Sequence, residues 1–173
     1  KMLEKNCYNF SCHIDRKNVM WIVTSYSVKG YRTQDLKLIA HSPVQSYPIA
    51  SFLLDGHQLY ISGYNGMQLF DTDTRKWQHL PAALQGLQIP NDMVSSIHPY
   101  GEKGNLLLST TKHGLLYFNA QEGTILPQSD KNFPFEVPDM QVNKMLTDSK
   151  GNLWLGSEDD GVKTIYRYKD MFN

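Results

Sequence analysis

The sequence predicts an all-β protein made of β-propeller blades, as four repeats of a four-stranded antiparallel sheet. Two observations carry this prediction. Short runs of β-branched and aromatic residues alternate with turn residues along the chain. In addition, one unit of strand, turn, strand, turn and strand recurs every 39 to 47 residues. A repeat of about 40–50 residues with about four strands is typical of a propeller blade.

The clearest copy of the unit covers residues 142–168. Its predicted strands are residues 142–146, 153–157 and 162–168, each rich in apolar, β-branched or aromatic side chains. The two intervening segments are rich in Asp, Gly and Asn, which favour turns. This copy therefore predicts three neighbouring antiparallel strands.

Each copy has one residue at the centre of its second strand, which we call the anchor residue. The four anchor residues are Trp21, Tyr60, Leu107 and Trp154. A glycine follows each of them and is expected to open the third strand; these glycines are Gly30, Gly66, Gly114 and Gly161. Residues 104–109 also repeat the Gly-Asn-Leu-x-Leu-x-Ser frame of residues 151–157, with Ser109 in the place of Ser157.

The repeats divide the chain into one partial propeller domain, residues 1–173. The predicted blades are residues 11–41, 49–80, 93–126 and 141–173, and residues 1–10 are available to complete a blade. Three long connections that contain proline lie between blades, where a propeller chain crosses back to its axis. A generic antiparallel sandwich is the alternative, but its turn signals recur at a shorter spacing of about 8–12 residues. A single turn of helix is predicted at residues 82–86.

Composition argues against several kinds of partner. The chain has 17 basic and 17 acidic residues, so it lacks the positive charge that predicts nucleic-acid binding. No run approaches the ~18 apolar residues of a membrane helix, so no membrane contact is predicted for this segment. Cys7 and Cys12 either form a disulfide or remain two thiols with Cys12 in the blade core, and the second alternative is favoured.

The anchor aromatics are interpreted as core between blades rather than as surfaces for stacking sugars, because each lies in an apolar run. The aspartates of the turns between first and second strands are interpreted as turn caps rather than calcium ligands; they are Asp15, Asp55 and Asp148. The six histidines show no ligand spacing. No metal site and no cofactor are therefore predicted.

No catalytic residues are predicted either. The sequence has no G-x-S-x-G and no HExxH motif, and we found no carboxylate pair placed for glycoside hydrolysis. The candidate binding face is formed by the loops that join second and third strands, which carry polar and aromatic side chains. Its candidate ligand-binding residues are Tyr26, Tyr64, Asn65, Lys112, His113 and Asp159.

The repeat is similar to a known family. Residues 148–157 read Asp-x-x-Gly-Asn-Leu-Trp-Leu-Gly-Ser, a Gly-Val pair follows at 161–162, and residues 89–97 and 137–142 are typical of the start of such a blade. This pattern resembles the two-component-regulator propeller repeat, found in the periplasmic sensor region of Bacteroides-type hybrid two-component system histidine kinases. The resemblance implies a non-catalytic periplasmic sensor propeller that binds a carbohydrate or a partner domain. It also implies that these blades are a fragment of a larger propeller, with further sensor blades and a histidine kinase as partners.

Two other functions stay open at this stage, a glycan-active propeller enzyme and a pure protein-interaction scaffold. Four blades of a larger ring would also leave two apolar blade faces without a neighbour. Either residues 1–10 close a four-bladed ring, or two chains join head to tail as a homodimer. The homodimer is the favoured expectation. The identity of the ligand and the true number of blades cannot be read from the sequence.

Overall fold

The computed structural model describes residues 11–85, 87, 93–138 and 140–166, so expectations about residues 1–10 and Cys7 lie outside the described residues. All strand pairs in this part of the chain are antiparallel, and each of its four sheets is made of strands that are consecutive in sequence. The predicted fold class is therefore confirmed. The chain divides into two compact units, Lys1–Met93 and Val94–Asn173, which are described separately below.

The first unit contains two four-stranded sheets. Sheet 1 comprises β1 (Ser11–Ile14), β2 (Val19–Val23), β3 (Ser27–Arg32) and β4 (Leu38–Pro43). Sheet 2 comprises β5 (Pro48–Leu54), β6 (Gln58–Gly63), β7 (Gly66–Asp71) and β8 (Lys76–Gln78). A single helical turn, α1 (Ala82–Gln85), follows sheet 2 where the sequence predicted one, and its Leu84 is buried.

The second unit contains two further sheets. Sheet 3 comprises β9 (Val94–Pro99), β10 (Leu106–Thr110), β11 (Leu115–Asn119) and β12 (Thr124–Pro127). Sheet 4 comprises three strands among the described residues, β13 (Lys144–Thr147), β14 (Leu153–Gly156) and β15 (Val162–Ile165). In each sheet, therefore, strands that follow one another in sequence are also hydrogen-bonded neighbours, as they are in a propeller blade.

Aspartate caps the turn between first and second strands in sheets 1 and 4. Asp15 accepts hydrogen bonds from the backbone amides of Lys17 and Val19, both at 2.8 Å. Asp148 accepts them from the amides of Lys150 and Asn152, both at 2.9 Å. Since Asp side chains stabilise turns by this kind of bond, the predicted capping role is confirmed at both positions.

The core of the first unit lies between sheets 1 and 2. Trp21 is fully buried there against Leu59, Ile61 and Phe70, and its ring meets that of Phe70 edge to face at 5.4 Å. Side chains alternate between the two faces of a strand. Trp21 therefore points from sheet 1 toward sheet 2, while Leu59 and Ile61 point back toward sheet 1.

The core of the second unit repeats this arrangement with different residues. Leu107 of sheet 3 is buried with Leu153 and Leu155 of sheet 4. Phe133 and Phe135 of the connection after β12 pack against this core and form an aromatic cluster with Tyr100 and Tyr117. In both units the anchor residue of one sheet packs against the two aliphatic residues that flank the anchor of the next sheet.

Two of the predicted core positions are wrong. Trp154 is 40% exposed rather than buried, because it lies on the face of sheet 4 opposite to Leu153 and Leu155. Cys12 is also exposed, since it lies on the first strand of sheet 1 and faces away from the core that contains Trp21. The core prediction is confirmed for Trp21 and Tyr60, which are buried.

Gly30 does not open the third strand of sheet 1, as the sequence had predicted, but lies inside β3 directly opposite Trp21. A Cβ atom at Gly30 would come within 2.9 Å of the Trp21 ring. Any larger residue at position 30 would therefore clash with the Trp21 ring, which covers the glycine. In sheet 4 the corresponding partner of Trp154 is Thr164.

Candidate ligand-binding loops

The candidate site lies at the turns between the second and third strands of each sheet. Thr24 organises this turn in sheet 1, because its hydroxyl oxygen accepts hydrogen bonds from the amides of Tyr26 at 3.3 Å and Ser27 at 3.1 Å. Thr24 is buried, whereas the Tyr26 side chain is 71% exposed. The turn therefore presents the tyrosine to solvent on a fixed backbone.

The connection from sheet 1 to sheet 2 lies against both of the turns in the first unit. The amide of Val44 donates to the carbonyl oxygen of Tyr26 at 3.1 Å. Further along, the amide of Asn65 donates to the hydroxyl of Ser46 at 3.0 Å. One short segment thus connects the loop that carries Tyr26 to the loop that carries Tyr64 and Asn65.

A buried glutamine of sheet 2 also holds the connection between sheets 1 and 2 in place. Gln68 accepts a hydrogen bond from the amide of Gln45 at 2.9 Å. Gly63 allows the close approach, because a Cβ atom there would lie 2.7 Å from the Ser46 hydroxyl oxygen and the Tyr47 carbonyl oxygen. Residues of sheet 2 therefore hold this connection, and with it the loops of the first unit, in place.

Tyr47 extends the aromatic surface that the sequence predicted. Its ring lies 5.9 Å from that of Tyr64, centroid to centroid, at 51°. We call the surface formed by Tyr26, Tyr47, Tyr64 and Asn65 the tyrosine surface. Tyr47 was not among the predicted site residues, because it lies on the connection between β4 and β5 and not on a loop between second and third strands.

The loops of the second unit are more strongly charged. In sheet 3, the hydroxyl of Thr110 accepts a hydrogen bond from the amide of His113 at 2.9 Å, and both Lys112 and His113 are exposed. Gln141 of the following connection donates to the carbonyl oxygen of Thr110 at 2.8 Å. This turn is therefore fixed by its connection, as in the first unit.

The corresponding loop of sheet 4 is acidic. Ser157 accepts hydrogen bonds from the amides of Asp159 at 3.3 Å and Asp160 at 3.2 Å. Asn143 accepts one from the amide of Glu158 at 3.1 Å. Asp159 is exposed, so its carboxylate faces solvent.

A hydroxyl three residues after the anchor organises these turns in three sheets; the residues are Thr24, Thr110 and Ser157. Ser109, which the sequence alignment had matched to Ser157, lies one residue away from the corresponding position. Instead, its hydroxyl donates to the carbonyl oxygen of Val142 in the next connection. Sheet 2 has Gly63 at the corresponding position, where the Ser46 side chain approaches.

Two histidines lie between the first strands of neighbouring sheets. The Nε2 atom of His13 is 2.8 Å from the hydroxyl of Ser51 in β5, and that of His98 is 2.7 Å from the hydroxyl of Thr147 in β13. Burial lowers the pKa of both imidazoles, because it disfavours the charged form. These contacts connect sheets and lie apart from the loops of the candidate site.

The described residues contain no group of three or more His, Cys, Asp or Glu side chains arranged to hold a metal ion. Within the same residues, no helix is both long enough and apolar enough to cross a membrane. The candidate residues fall into two groups, with Tyr26, Tyr64 and Asn65 in the first unit and Lys112, His113 and Asp159 in the second.

The fold and the repeated turns define propeller blades, and comparison with known families agrees. Residues 136–159 match the family model of the two component regulator propeller. The matched segment covers β13, β14 and the turn that begins at Ser157. The family resemblance recognised from the repeat is therefore confirmed. No curated protein matches the chain.

Solved structures share the fold at low sequence identity. Two structures of the extracellular domain of BT4673 from B. thetaiotaomicron, named once as a putative one component system and once as a putative hybrid two component system, have TM-scores of 0.64 and 0.63 at 18% identity. They match 89% and 94% of this chain, which spans only 21% and 22% of theirs. The β-propeller domain of Cps50 (Swd1) from Myceliophteria thermophila gives a TM-score of 0.66 at 17% identity, over 94% of this chain and 52% of that one.

Proposed function

We propose that this chain is a non-catalytic, extracytoplasmic sensor segment of a hybrid two-component system. In this proposal it lies in the periplasm, and its loops bind an oligosaccharide whose presence is signalled to a histidine kinase. The observation that carries the proposal is the match of residues 136–159 to the two component regulator propeller. The fold shared with the extracellular domain of BT4673 supports the extracytoplasmic location.

The tyrosine surface is the best candidate for the sugar-binding part. Tyr26 and Tyr64 are both largely exposed, and Tyr47 lies beside Tyr64. Tyrosine combines an apolar ring with a hydroxyl group, so it can cover a flat face of a ligand and also form a hydrogen bond. Asn65 adds an amide that can donate and accept. Because none of these four side chains is charged, the surface suits a neutral sugar.

The loops of the second unit provide a different chemistry. Lys112, His113 and Asp159 are exposed on turns fixed by Thr110 and Ser157. Exposed groups of this kind contribute little binding energy in water, so we propose the tyrosine surface of the first unit alone as the sugar site.

A screen of the purified chain on an oligosaccharide array tests the proposal. We expect binding to at least one neutral oligosaccharide and no release of shorter products on prolonged incubation. The double variant Tyr26→Ala/Tyr64→Ala should lose most of this binding. Tyr166→Ala is the matched control, because Tyr166 is 73% exposed but lies outside these loops. Absence of binding, turnover of the glycan, or equal loss in the control would contradict the proposal.

A further inference from the structure

The side chain of Gln68 is a buried amide on the face of sheet 2 that meets sheet 1. Gln68 lies in β7 opposite Ile61, which packs against Trp21 of sheet 1, so the glutamine shares the face of Ile61. It is 7% exposed. Burying an amide is costly unless its donor and its acceptor are both bonded. The partners of Gln68 therefore show what the residue does.

Both ends of this amide bond to the backbone of the connection between sheets 1 and 2. Its oxygen, Oε1, accepts a hydrogen bond from the amide of Gln45 at 2.9 Å. Its nitrogen, Nε2, donates to the carbonyl oxygen of Ser46 at 3.5 Å. Two bonds to consecutive residues fix both the position and the direction of the connection immediately before Tyr47.

The other three described sheets have a different type of residue at this position. Gln68 is the strand partner of the residue that follows the anchor, and the corresponding residues in sheets 1, 3 and 4 are Lys29, Leu116 and Lys163. A lysine side chain can only donate hydrogen bonds, and a leucine side chain can neither donate nor accept them. A paired contact with an amide and a carbonyl at this position is therefore possible only in sheet 2, which follows the connection that carries Tyr47.

The connection in turn positions two loop residues of the tyrosine surface. The hydroxyl of Ser46 accepts a hydrogen bond from the amide of Asn65 at 3.0 Å. The carbonyl oxygen of Tyr47 accepts one from the amide of Tyr64 at 3.4 Å, and the two tyrosine rings are 5.9 Å apart. A movement of the backbone at Ser46 would therefore change the spacing of Tyr47 and Tyr64.

We propose that Gln68 is a positioning residue for ligand binding at the tyrosine surface. It is too deeply buried to contact a ligand, and it holds the surface in its binding geometry before the ligand arrives. A surface that is ordered in advance loses less conformational entropy on binding than one that the ligand must order. The inference rests on the proposed sugar-binding function and adds to it a residue outside the binding loops.

Gln68→Met removes both hydrogen bonds and keeps a side chain of similar length. We expect it to weaken binding of the oligosaccharide selected on the array about tenfold, as a free-energy change of the size of one hydrogen bond would. Gln78→Met is the matched control, because it makes the same substitution at an exposed position on the last strand of the same sheet. It should leave the affinity unchanged.

A second control separates positioning from stability. Asp15→Ala destabilises the same unit from the turn between β1 and β2, which lies at the opposite ends of the strands from the binding loops. It should lower the urea midpoint and leave the affinity of the folded protein unchanged. An equal loss of affinity in Asp15→Ala would assign the effect of Gln68→Met to stability and would overturn the proposal.

Gln68→Glu gives a pH profile that tests the two hydrogen bonds directly. An ionised carboxylate can accept from the amide of Gln45 but repels the carbonyl oxygen of Ser46, whereas a protonated carboxyl group accepts with one oxygen and donates with the other, as glutamine does. Burial raises the pKa of a carboxyl group, so the affinity of this variant should recover as the pH falls from about 8 to about 5. His13, on the face of sheet 1 that carries Trp21, titrates in both proteins. The ratio of the two affinities at each pH therefore cancels its effect.

Hydrogen exchange of single amides, measured without ligand, distinguishes this inference from the proposed function. The amide of Asn65 is bonded to Ser46 and not to Gln68, so its exchange rate reports the position of the connection. We expect faster exchange in Gln68→Met and no change in Gln78→Met. If the unaltered chain binds no oligosaccharide, the sugar-binding function fails, while faster exchange at Asn65 still supports Gln68 as the residue that positions this loop.

Three results would overturn the proposal. They are unchanged affinity in Gln68→Met, unchanged exchange of the Asn65 amide in that variant, and an affinity of Gln68→Glu that does not recover in acid. Far-ultraviolet circular dichroism shows whether each variant is folded. If Gln68→Met does not fold, Gln68→Glu replaces it, with affinity and exchange compared at about pH 8 and about pH 5.

Discussion

The indole nitrogen of Trp154 donates a hydrogen bond to the carboxylate of Asp148, six residues earlier, across the turn between β13 and β14. This bond holds the pKa of Asp148 at about 2, with smaller contributions from the side chain and amide of Asn152 and the amide of Lys150. Trp21 and Asp15 make the same contact in sheet 1. The turn aspartate thus has two roles, since it caps the backbone and orients the anchor tryptophan.

The two tryptophans should differ strongly in their contribution to stability. Trp21→Ala removes a fully buried ring and should destabilise the protein by about 3–5 kcal/mol. Trp154→Ala removes a partly exposed ring and one hydrogen bond, which should cost only about 1–2 kcal/mol. Urea unfolding measures the loss in both variants. Equal losses would mean that Trp154 is as well buried in solution as Trp21.

Gly30 and Gly156 form a matched pair for testing the contact with Trp21. Gly30→Ala forces a Cβ atom to within 2.9 Å of the Trp21 ring and should destabilise the protein by about 1–3 kcal/mol. At Gly156, a Cβ atom would meet nothing closer than 3.7 Å, so Gly156→Ala should be nearly neutral. The difference in free energy of unfolding between the two variants is the measurement. A neutral Gly30→Ala would show that the ring moves freely.

Asp15 should stabilise the first unit more than an exposed turn aspartate does. It is buried and accepts three hydrogen bonds, from the amides of Lys17 and Val19 and the indole of Trp21. Asp15→Ala leaves these donors without their charged acceptor and should cost about 3 kcal/mol. Asp35→Ala is the control, because Asp35 is exposed and caps one amide. Its expected effect is below about 0.5 kcal/mol.

His13 and His98 predict a loss of stability in mild acid. Burial lowers their pKa in the folded protein below the ordinary value of 6.5. Above pH 6.5 both imidazoles are neutral in the folded and unfolded states, so their protonation does not lower the free energy of unfolding. As the pH falls below 6.5, the unfolded chain binds protons that the folded protein does not, and stability decreases toward the folded pKa. The urea midpoint should therefore fall between about pH 7 and pH 5.

The double variant His13→Gln/His98→Gln checks the source of this pH dependence. Glutamine retains a side chain that can bond to the hydroxyls of Ser51 and Thr147 but does not titrate. The midpoint of this variant should be nearly flat over the same pH range. His79→Gln, at an exposed position, should keep the dependence of the unaltered chain. If the double variant keeps the full dependence, other groups are responsible.

The fold was predictable because its signals are local and repeated. The turn aspartate, the apolar second strand and the spacing of the anchor residues are all readable along the chain, and one copy can be checked against another. The exposure of Trp154 was not readable in this way. Its sequence context resembles that of the buried Trp21, and only the packing of sheet 4 shows which face is uncovered.

The position of the candidate loops was predictable for a similar reason. The loops follow from the strand order, so Tyr26 and Tyr64 could be assigned to one edge from the sequence. The ring contact between Tyr47 and Tyr64 depends on how the connection lies over Gly63. The close approach of the connection to Gly63 depends on contacts between residues about 17 positions apart, such as Ser46 and Gly63. No periodic pattern in the sequence predicts such contacts.

Calorimetric titration of the oligosaccharide selected on the array tests the central claim most directly. With the unaltered chain we expect saturable binding, which Tyr26→Ala/Tyr64→Ala reduces at least about tenfold, a loss of about 1.4 kcal/mol. The urea midpoint of that variant should stay unchanged, because both side chains are largely exposed. Unaltered affinity in the double variant, with Tyr166→Ala as the comparison, would contradict the assignment of the sensor site to the tyrosine surface.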